Sequence, residues 1–448
     1  MNYEYKIPKK IDDGWKTLSL TEEGIDLNKI EDLMNNILNG NFGNLQSLLI
    51  VKNGKLILEE YFGEYDRNKK QDLASVVKSI GSILIGIAMD NGFIEGIAQG
   101  GLEKNVLKLF PEHEGTINEN LRKQKILLKH ILSMSAGLEW DEQTYSYDNP
   151  KNDWFKASHC DNSVKFVLQK PVIHPPGKQF QYNGGLTIML SDLIKKNTKM
   201  DADEFAEKYL FTPLGIEDYY WRKIEDGLTD LDGGLSLRPR DMAKIGLLVL
   251  NKGVWKGKQI VSNEWIDEST KTHIETGILG SEYGYQWWRI SGIFNDTKIE
   301  TFFASGYGGQ NIFIFPSLDM VITFTARHDN NPDINTIILQ NFILPATFPP
   351  TPPRKTIPLN IQQCERYMGK YIPTHTTDTL RLIKEDNKLF MLIPDKEKIE
   401  LYRETENQFW GTSKGVGDFQ MTFFEEHEEI MYFIFQSGFF NLHYNKLK

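Results

Sequence analysis

The 448-residue sequence predicts an α+β protein with a small β domain appended to its C-terminal side. Three observations carry that prediction. An early apolar hairpin is centred on Asn53-Gly54, a helix-rich stretch fills the middle of the chain, and a series of short β-type runs begins near residue 283. A Pro-rich segment after residue 345 separates this body from a last stretch with strand signals at regular spacing.

Taken in order, Asp26 opens and Gly40 closes a helical pattern over Leu27 to Leu38. Leu48-Leu49-Ile50-Val51 and Leu56-Ile57-Leu58 flank Asn53-Gly54, a strong short-range hairpin signal. A long apolar helix follows, from Ser75 to Asn91 or Gly92. Between residues 96 and 250, helical spacing recurs at Leu127 to Met134, Ser163 to Leu168, Leu186 to Ile194, Ala202 to Leu210 and Asp241 to Leu250. Turn-rich pieces, Pro175-Pro176-Gly177 and Asp232-Gly233-Gly234, lie between them. Tyr283 to Trp288, Thr301 to Ala304, Asn311 to Phe315 and Met320 to Thr325 read as consecutive antiparallel strands, closed by a helix over Asn335 to Phe342. The expected domains are 1–345, a Pro-rich linker at 346–358, and a small lipocalin-like β-barrel at 359–448.

Composition narrows the function. Net charge is −10 and no basic patch interleaves with aromatics, which disfavours nucleic acid. Cys160 and Cys364 match no metal-ligand spacing and read as two free buried thiols ahead of the alternative, one long-range disulfide. Histidine is sparse, so neither a metal nor another cofactor is expected. The first residues lack an apolar signal region and no apolar run reaches spanning length, so a cytoplasmic protein without a membrane partner is expected.

The chemistry centres on Ser75-Val76-Val77-Lys78. Residues three apart share a helix face, so Ser75 and Lys78 project together from the helix start. The helix dipole favours negative charge at Ser75. An apolar surround is expected to lower the pKa of Lys78 so that it can act as a base. Alone the tetrapeptide is weak, since a chain this long carries about one or two by chance. A third group must pass a proton to the leaving group; Tyr182, after the Pro176-Gly177 turn, is the candidate. Tyr147 is its rival, in what reads as a mobile surface loop. Ser305-Gly306-Tyr307-Gly308-Gly309, between two strand-like runs, offers backbone N–H groups to an oxyanion. The Gly411-Thr412-Ser413-Lys414-Gly415 match to a nucleophile elbow reads as a hairpin loop, because a strand rather than a helix follows it. Glu139, Asp141 and Glu142 read as a solvated loop.

This ordered set resembles the serine hydrolases of the β-lactamase-related group: class C β-lactamases, DD-peptidases, esterases and 6-aminohexanoate-dimer hydrolases. Asp12-Asp13-Gly14-Trp15, His130 to Leu138, Phe211 to Ile216 and Arg238 to Ala243 are similar too. The resemblance covers roughly residues 10 to 345. It implies an antiparallel sheet flanked by helices with a helical subdomain, the cleft lying between them. It also implies Ser75 as the acylated nucleophile, Lys78 and Tyr182 as proton carriers, and the N–H groups of Ser75 and Tyr307 as the oxyanion hole. Ser305, Gly306, Gly308 and Asn183 join the expected substrate-binding set. Many members carry Asn or Ser two residues after the tyrosine; here Gly184 stands there, with Asn183 one residue early. Ala304-Ser305-Gly306 replaces a Lys-Thr-Gly or His-x-Gly strand, so no cation awaits a substrate carboxylate.

The expected activity is therefore hydrolysis of a small ester or amide through an acyl-enzyme on Ser75, with true β-lactamase activity weak or absent. The alternative is a β-lactam- or peptide-binding sensor with little turnover. The barrel carries no catalytic set and is read as structural or as an assembly element, which leaves homo-oligomerisation open.

Overall fold

The computed structural model describes residues 3–447 apart from 119, 279, 295–296, 329–333, 350–353, 355, 359–360, 375–378, 386–387, 394–396, 414–416 and 427–428. Its central sheet has nine strands among the described residues. In spatial order these are β1 (Lys16–Thr17), β3 (Lys55–Tyr61), β2 (Leu45–Lys52), Met320–Ala326, Gln310–Phe315, Thr297–Gly306, Trp288–Phe294, Glu282–Tyr283 and Ile274–Glu275. The β2–β3 turn is the predicted one, with Asn53 at φ 49° and Gly54 at φ 70°, the left-handed pair that matches strand twist. The sheet is antiparallel except at one edge, where β1 runs parallel to β3.

The two ends of the sequence meet in the middle of this sheet. Val51 pairs with Val321 and Leu49 with Thr323, and the Ser47 and Thr325 hydroxyls are 2.6 Å apart. Alternate residues of β2 face opposite layers. Leu48 and Ile50 join a core with α1 (Leu27–Leu38) and the closing helical segment. Leu49 and Val51 join the larger core, which holds α2 (Val76–Asp90) and the Gly184–Thr198 and Pro239–Leu250 helices. Every residue of α2 except Asp90 is buried, which explains the apolar run from Ile83 to Met89.

Three expectations need correction. Tyr283 to Trp288 is not one strand: Gln286 takes a left-handed backbone (φ 65°) and splits the run into Glu282–Tyr283 and Trp288–Phe294. The closing helix does not stop at Phe342. It continues as a π-turn over Leu339–Ile343 and a helix over Leu344–Thr347, so the first residues of the expected linker are packed in the core. Residues 350–353 and 355 of that linker lie outside the described residues. Cys160 is partly exposed rather than buried; Cys364 is buried, and both thiols are free.

The C-terminal strands form a closed eight-stranded barrel, from Gly369–Pro373 to Phe440–Lys446. Aromatic and aliphatic side chains, among them Tyr371, Phe409, Phe423 and Phe433, fill its interior. It is joined to the body beyond the connecting chain. Gly438 bridges Ile293, Phe439 N–H donates to Gln340 Oε1 (2.7 Å), and the Phe439 ring stands 5.0 Å from that of Phe294.

Candidate active site

The approach to Ser75 is set by local backbone. Asp72 Oδ1 accepts from Ala74 N–H (2.9 Å), and Leu73 N–H donates to Leu235 O (3.0 Å). Ala74 is left-handed at φ 45°, and Ser75 occupies the N-cap of α2 without using its side chain as a cap. The hydroxyl is thereby left for other partners. Lys78, one turn on, donates to Ser75 Oγ at 2.9 Å.

Lys78 is not in the apolar surround that its helix suggests. Its Nζ also donates to the main-chain oxygen of Asp232 (3.0 Å) and forms an ion pair with Asp232 Oδ1. Asp232 is aimed by a turn built on Asp230, whose Oδ1 accepts from Asp232 N–H (3.0 Å) and Gly233 N–H (3.2 Å). Burial favours a neutral Lys78, but the carboxylates of Asp232 and Glu142 outweigh it and raise the lysine pKa. The expected lowering is thus overturned: Lys78 is an ammonium.

Tyr182 is held from both sides. Gln181 N–H donates to Met134 O (2.8 Å) and Asn183 N–H to Met134 Sδ (3.3 Å). The phenol ring stacks near Trp288 at 6.1 Å and lies 4.9 Å from Lys78 Nζ, and the nearby Ser75 hydroxyl partly offsets the rise in its pKa. Burial, then Asp232 and Glu142, push its pKa well above the ordinary tyrosine value, so it is a neutral phenol. The structure therefore brings Ser75, Lys78 and Tyr182 together.

Two carboxylates were missed or misread from the sequence. Asp232 was taken only as part of a turn. Glu142 is not solvated. It is buried, and it accepts from Trp140 Nε1 (2.5 Å), Gly184 N–H (2.6 Å) and the Tyr147 hydroxyl (3.2 Å). Burial and the neighbouring Asp232 push its pKa up to about 7, against the pull of Lys78. Tyr147 stays 37% exposed in its loop, as expected, with its ring edge-on to Trp154 at 5.5 Å and its hydroxyl donating to Glu142. The signal that could have found Asp232 is Gly184. A Cβ there would lie 2.4 Å from Asp232 Oδ1, so the absent side chain marks the place of a carboxylate from elsewhere in the chain.

On the other wall, Ser305 and Gly306 end the Thr297–Gly306 strand, opposite Asn311 and Gln310. Ser305 Oγ accepts from Asn311 Nδ2 (3.1 Å). Tyr307 is 66% exposed in the turn that follows, and Gly308 and Gly309 carry φ of 81° and 96°. Asn183 is buried, and its Oδ1 caps the Gly184–Thr198 helix through Leu186 N–H (3.2 Å), so that oxygen faces the helix rather than the cleft. A cavity of about 330 Å³ opens beside Tyr182, lined by Trp140, Glu142, Thr144, Phe180 and Ile278 among others.

The elbow-like Ser413 ends the Gln408–Ser413 barrel strand and donates to Glu397 Oε2 (2.9 Å); Lys414 and Gly415 lie outside the described residues. Among the described residues, no group of His, Cys, Asp and Glu is arranged to hold a metal ion. No described helix is long and apolar enough to cross a membrane.

The family model named Beta-lactamase matches residues 45–337. The chain belongs to the β-lactamase family. Among its relatives is the 6-aminohexanoate-dimer hydrolase of Paenarthrobacter ureafaciens, 23% identical over 298 residues, spanning 62% of this chain and 71% of that one. Among solved structures, the octameric penicillin-binding protein homologue from Pyrococcus abyssi has a TM-score of 0.55 at 17% identity. It covers 92% of this chain and 99% of its own, which shows that the fold is shared. EstCE1, described as a hydrolase with promiscuous acyltransferase activity, has a TM-score of 0.56 at 13% identity over 72% of this chain and 98% of that one. The β-lactamase-family fold and a kinship with hydrolases are thus established for this chain.

Proposed function

We propose that the protein is a serine hydrolase that cleaves a small ester or amide through an acyl-enzyme on Ser75. The carrying observation is that Lys78 Nζ donates to Ser75 Oγ at 2.9 Å and lies 4.9 Å from the centre of the Tyr182 ring. Ser75 Oγ attacks the carbonyl carbon, and its proton passes into the Lys78–Tyr182 pair and on to the leaving group. The N–H groups of Ser75 and Tyr307 receive the oxyanion, with Ser305, Gly306 and Gly308 shaping that wall and Asn183 fixing the start of the helix behind Tyr182. No metal or other cofactor takes part. Small neutral acyl groups are favoured because Ala304-Ser305-Gly306 offers no cation to a carboxylate. The activity named for the Paenarthrobacter relative supports a small amide as one substrate class. In this reading the catalytic domain runs to the end of the helix at Thr347, and the barrel from about residue 359 is an assembly element.

A second reading, a β-lactam- or peptide-binding sensor with little turnover, draws on one observation: both proton carriers are in their protonated forms, so no free base faces Ser75.

The test is treatment with a fluorophosphonate and with p-nitrophenyl esters, followed by peptide mass spectrometry. An adduct on Ser75, with ester hydrolysis lost in Ser75→Ala, is expected. No adduct, or full hydrolysis by the variant, overturns the proposal. A stable adduct without turnover selects the sensor.

A further inference from the structure

A hydrolase reading leaves one chemical question unanswered. An ammonium that already donates to Ser75 Oγ, to Asp232 O and toward Asp232 Oδ1 has no lone pair for the Ser75 proton. Tyr182 is a neutral phenol, so it can relay a proton only by giving up its own and cannot store this one. Some other group must take up a proton before Ser75 can attack.

The geometry points to Asp232. Its Oδ1 is buried and, among the described residues, has no hydrogen-bond donor besides the paired Lys78 ammonium. The space it fills is kept open by a glycine, since a Cβ at Gly184 would stand 2.4 Å from Oδ1 and 2.9 Å from Cγ. We infer that Asp232 is a positioning residue for this reaction: it holds Lys78 as an ammonium against Ser75 and accepts one Lys78 proton as Ser75 attacks. The inference rests on the acyl-enzyme reading above.

The step balances. The Ser75 Oγ–C bond forms and the carbonyl π pair moves to the substrate oxygen. The Ser75 O–H proton passes to Lys78 Nζ while one Lys78 N–H proton passes to Asp232 Oδ1. Lys78 stays an ammonium, Asp232 becomes neutral, and the negative charge has moved from carboxylate to oxyanion. On collapse the bond to the leaving group breaks, and the leaving group takes the proton back from Asp232 through Lys78. Burial and the nearby Asp230 bring Asp232 toward the range where such a transfer is accessible, against Lys78 and Arg222, which hold it charged. Glu142 and Tyr147 from one loop, Tyr182, and Tyr283 in the second strand from the sheet edge complete the charged and titratable groups around it.

The test compares the wild type with Asp232→Asn, Asp232→Ala and Asp232→Glu, the last keeping the carboxylate. The probe is the burst of p-nitrophenyl acetate acylation from about pH 5 to about pH 10, with thermal melts to confirm folding. Asp232→Asn is expected to acylate roughly 10²-fold more slowly at neutral pH with KM little changed. Its rate should then climb about tenfold per pH unit as Lys78, freed of its partner, loses a proton directly to solvent. An Asp232→Asn rate and pH profile matching the wild type, or a loss confined to KM or to melting temperature, overturns the inference. Wild-type protein that fails to label at Ser75 overturns the hydrolase reading and this one with it. Labelled wild type with an indifferent Asp232→Asn overturns this one alone.

Discussion

Gly306 lies against the entry to the Ser75 helix: a Cβ built on it would stand 2.3 Å from Leu73 O and 3.1 Å from Ser75 N. The edge of the Thr297–Gly306 strand and the start of α2 are therefore in backbone contact. Gly306→Ala must push these walls apart, which displaces both N–H groups proposed for the oxyanion. Acylation by p-nitrophenyl acetate should fall roughly 10²-fold, the scale of losing one such donor. Circular dichroism should be unchanged. An unaltered burst rate would show that the gap between strand and helix is not part of the site.

Tyr182→Phe keeps the ring beside Trp288 and Lys78 and removes only the hydroxyl. Turnover should drop by roughly 10² to 10⁴, as for loss of a proton-transfer group, while the melting temperature stays close to that of the wild type. Comparable turnover in the variant would remove the phenol from the proton path.

Glu142 gives a stability prediction with a definite sign. Its folded pKa is raised from 4.5 to about 7, chiefly by burial and then by Asp232. The folded protein thus holds this proton more tightly than the unfolded chain does. The corresponding stability is fully present below about pH 4.5, declines between about pH 4.5 and about pH 7, and is lost above that. The span is on the order of a few kcal/mol. Glu142→Gln cannot titrate, so its melting temperature relative to the wild type should rise from about pH 5 to about pH 8. A difference that stays flat or falls would mean that Glu142 is not held in this state.

Phe439 is the side chain that seats the barrel on the body, buried against Phe294 and Phe315. Phe439→Ala should cost about 3 to 5 kcal/mol, as for truncation of a buried phenylalanine. Calorimetry should then resolve a barrel transition separate from that of the catalytic body. A single cooperative transition at the wild-type temperature would show that other contacts hold the two together.

Much of this was legible in sequence because it is local. The Ser75–Lys78 pair follows from helix periodicity, and the Asn53-Gly54 hairpin from turn chemistry. Asp232 was not legible, because its approach to Lys78 spans 154 residues and depends on a turn around Asp230 that no spacing announces. Glu142 sits among other carboxylates in a polar run, and only the tertiary donors Trp140 Nε1, Gly184 N–H and Tyr147 OH show that it is inside. The split strand at Gln286 was hidden for a different reason. A glutamine is an unusual residue for a left-handed backbone, and it is held there by its bonds to Leu132 O and Thr187 Oγ1, not by its own preference. Three barrel strands, Gly369–Pro373, Gln408–Ser413 and Phe440–Lys446, are faint in sequence because Gly, Pro and polar residues dilute their β character.

The pairing of β2 with Met320–Ala326 has a consequence for biosynthesis. On the ribosome, the strands over Leu45–Lys52 and Lys55–Tyr61 emerge more than two hundred residues before their neighbour. At about 5 to 20 residues per second, that hairpin waits on the order of ten seconds or more with an apolar edge unpaired. Release of acylating activity should therefore be abrupt, and nascent chains stalled before residue 320 should show none, although Ser75, Lys78 and Tyr182 have all been made.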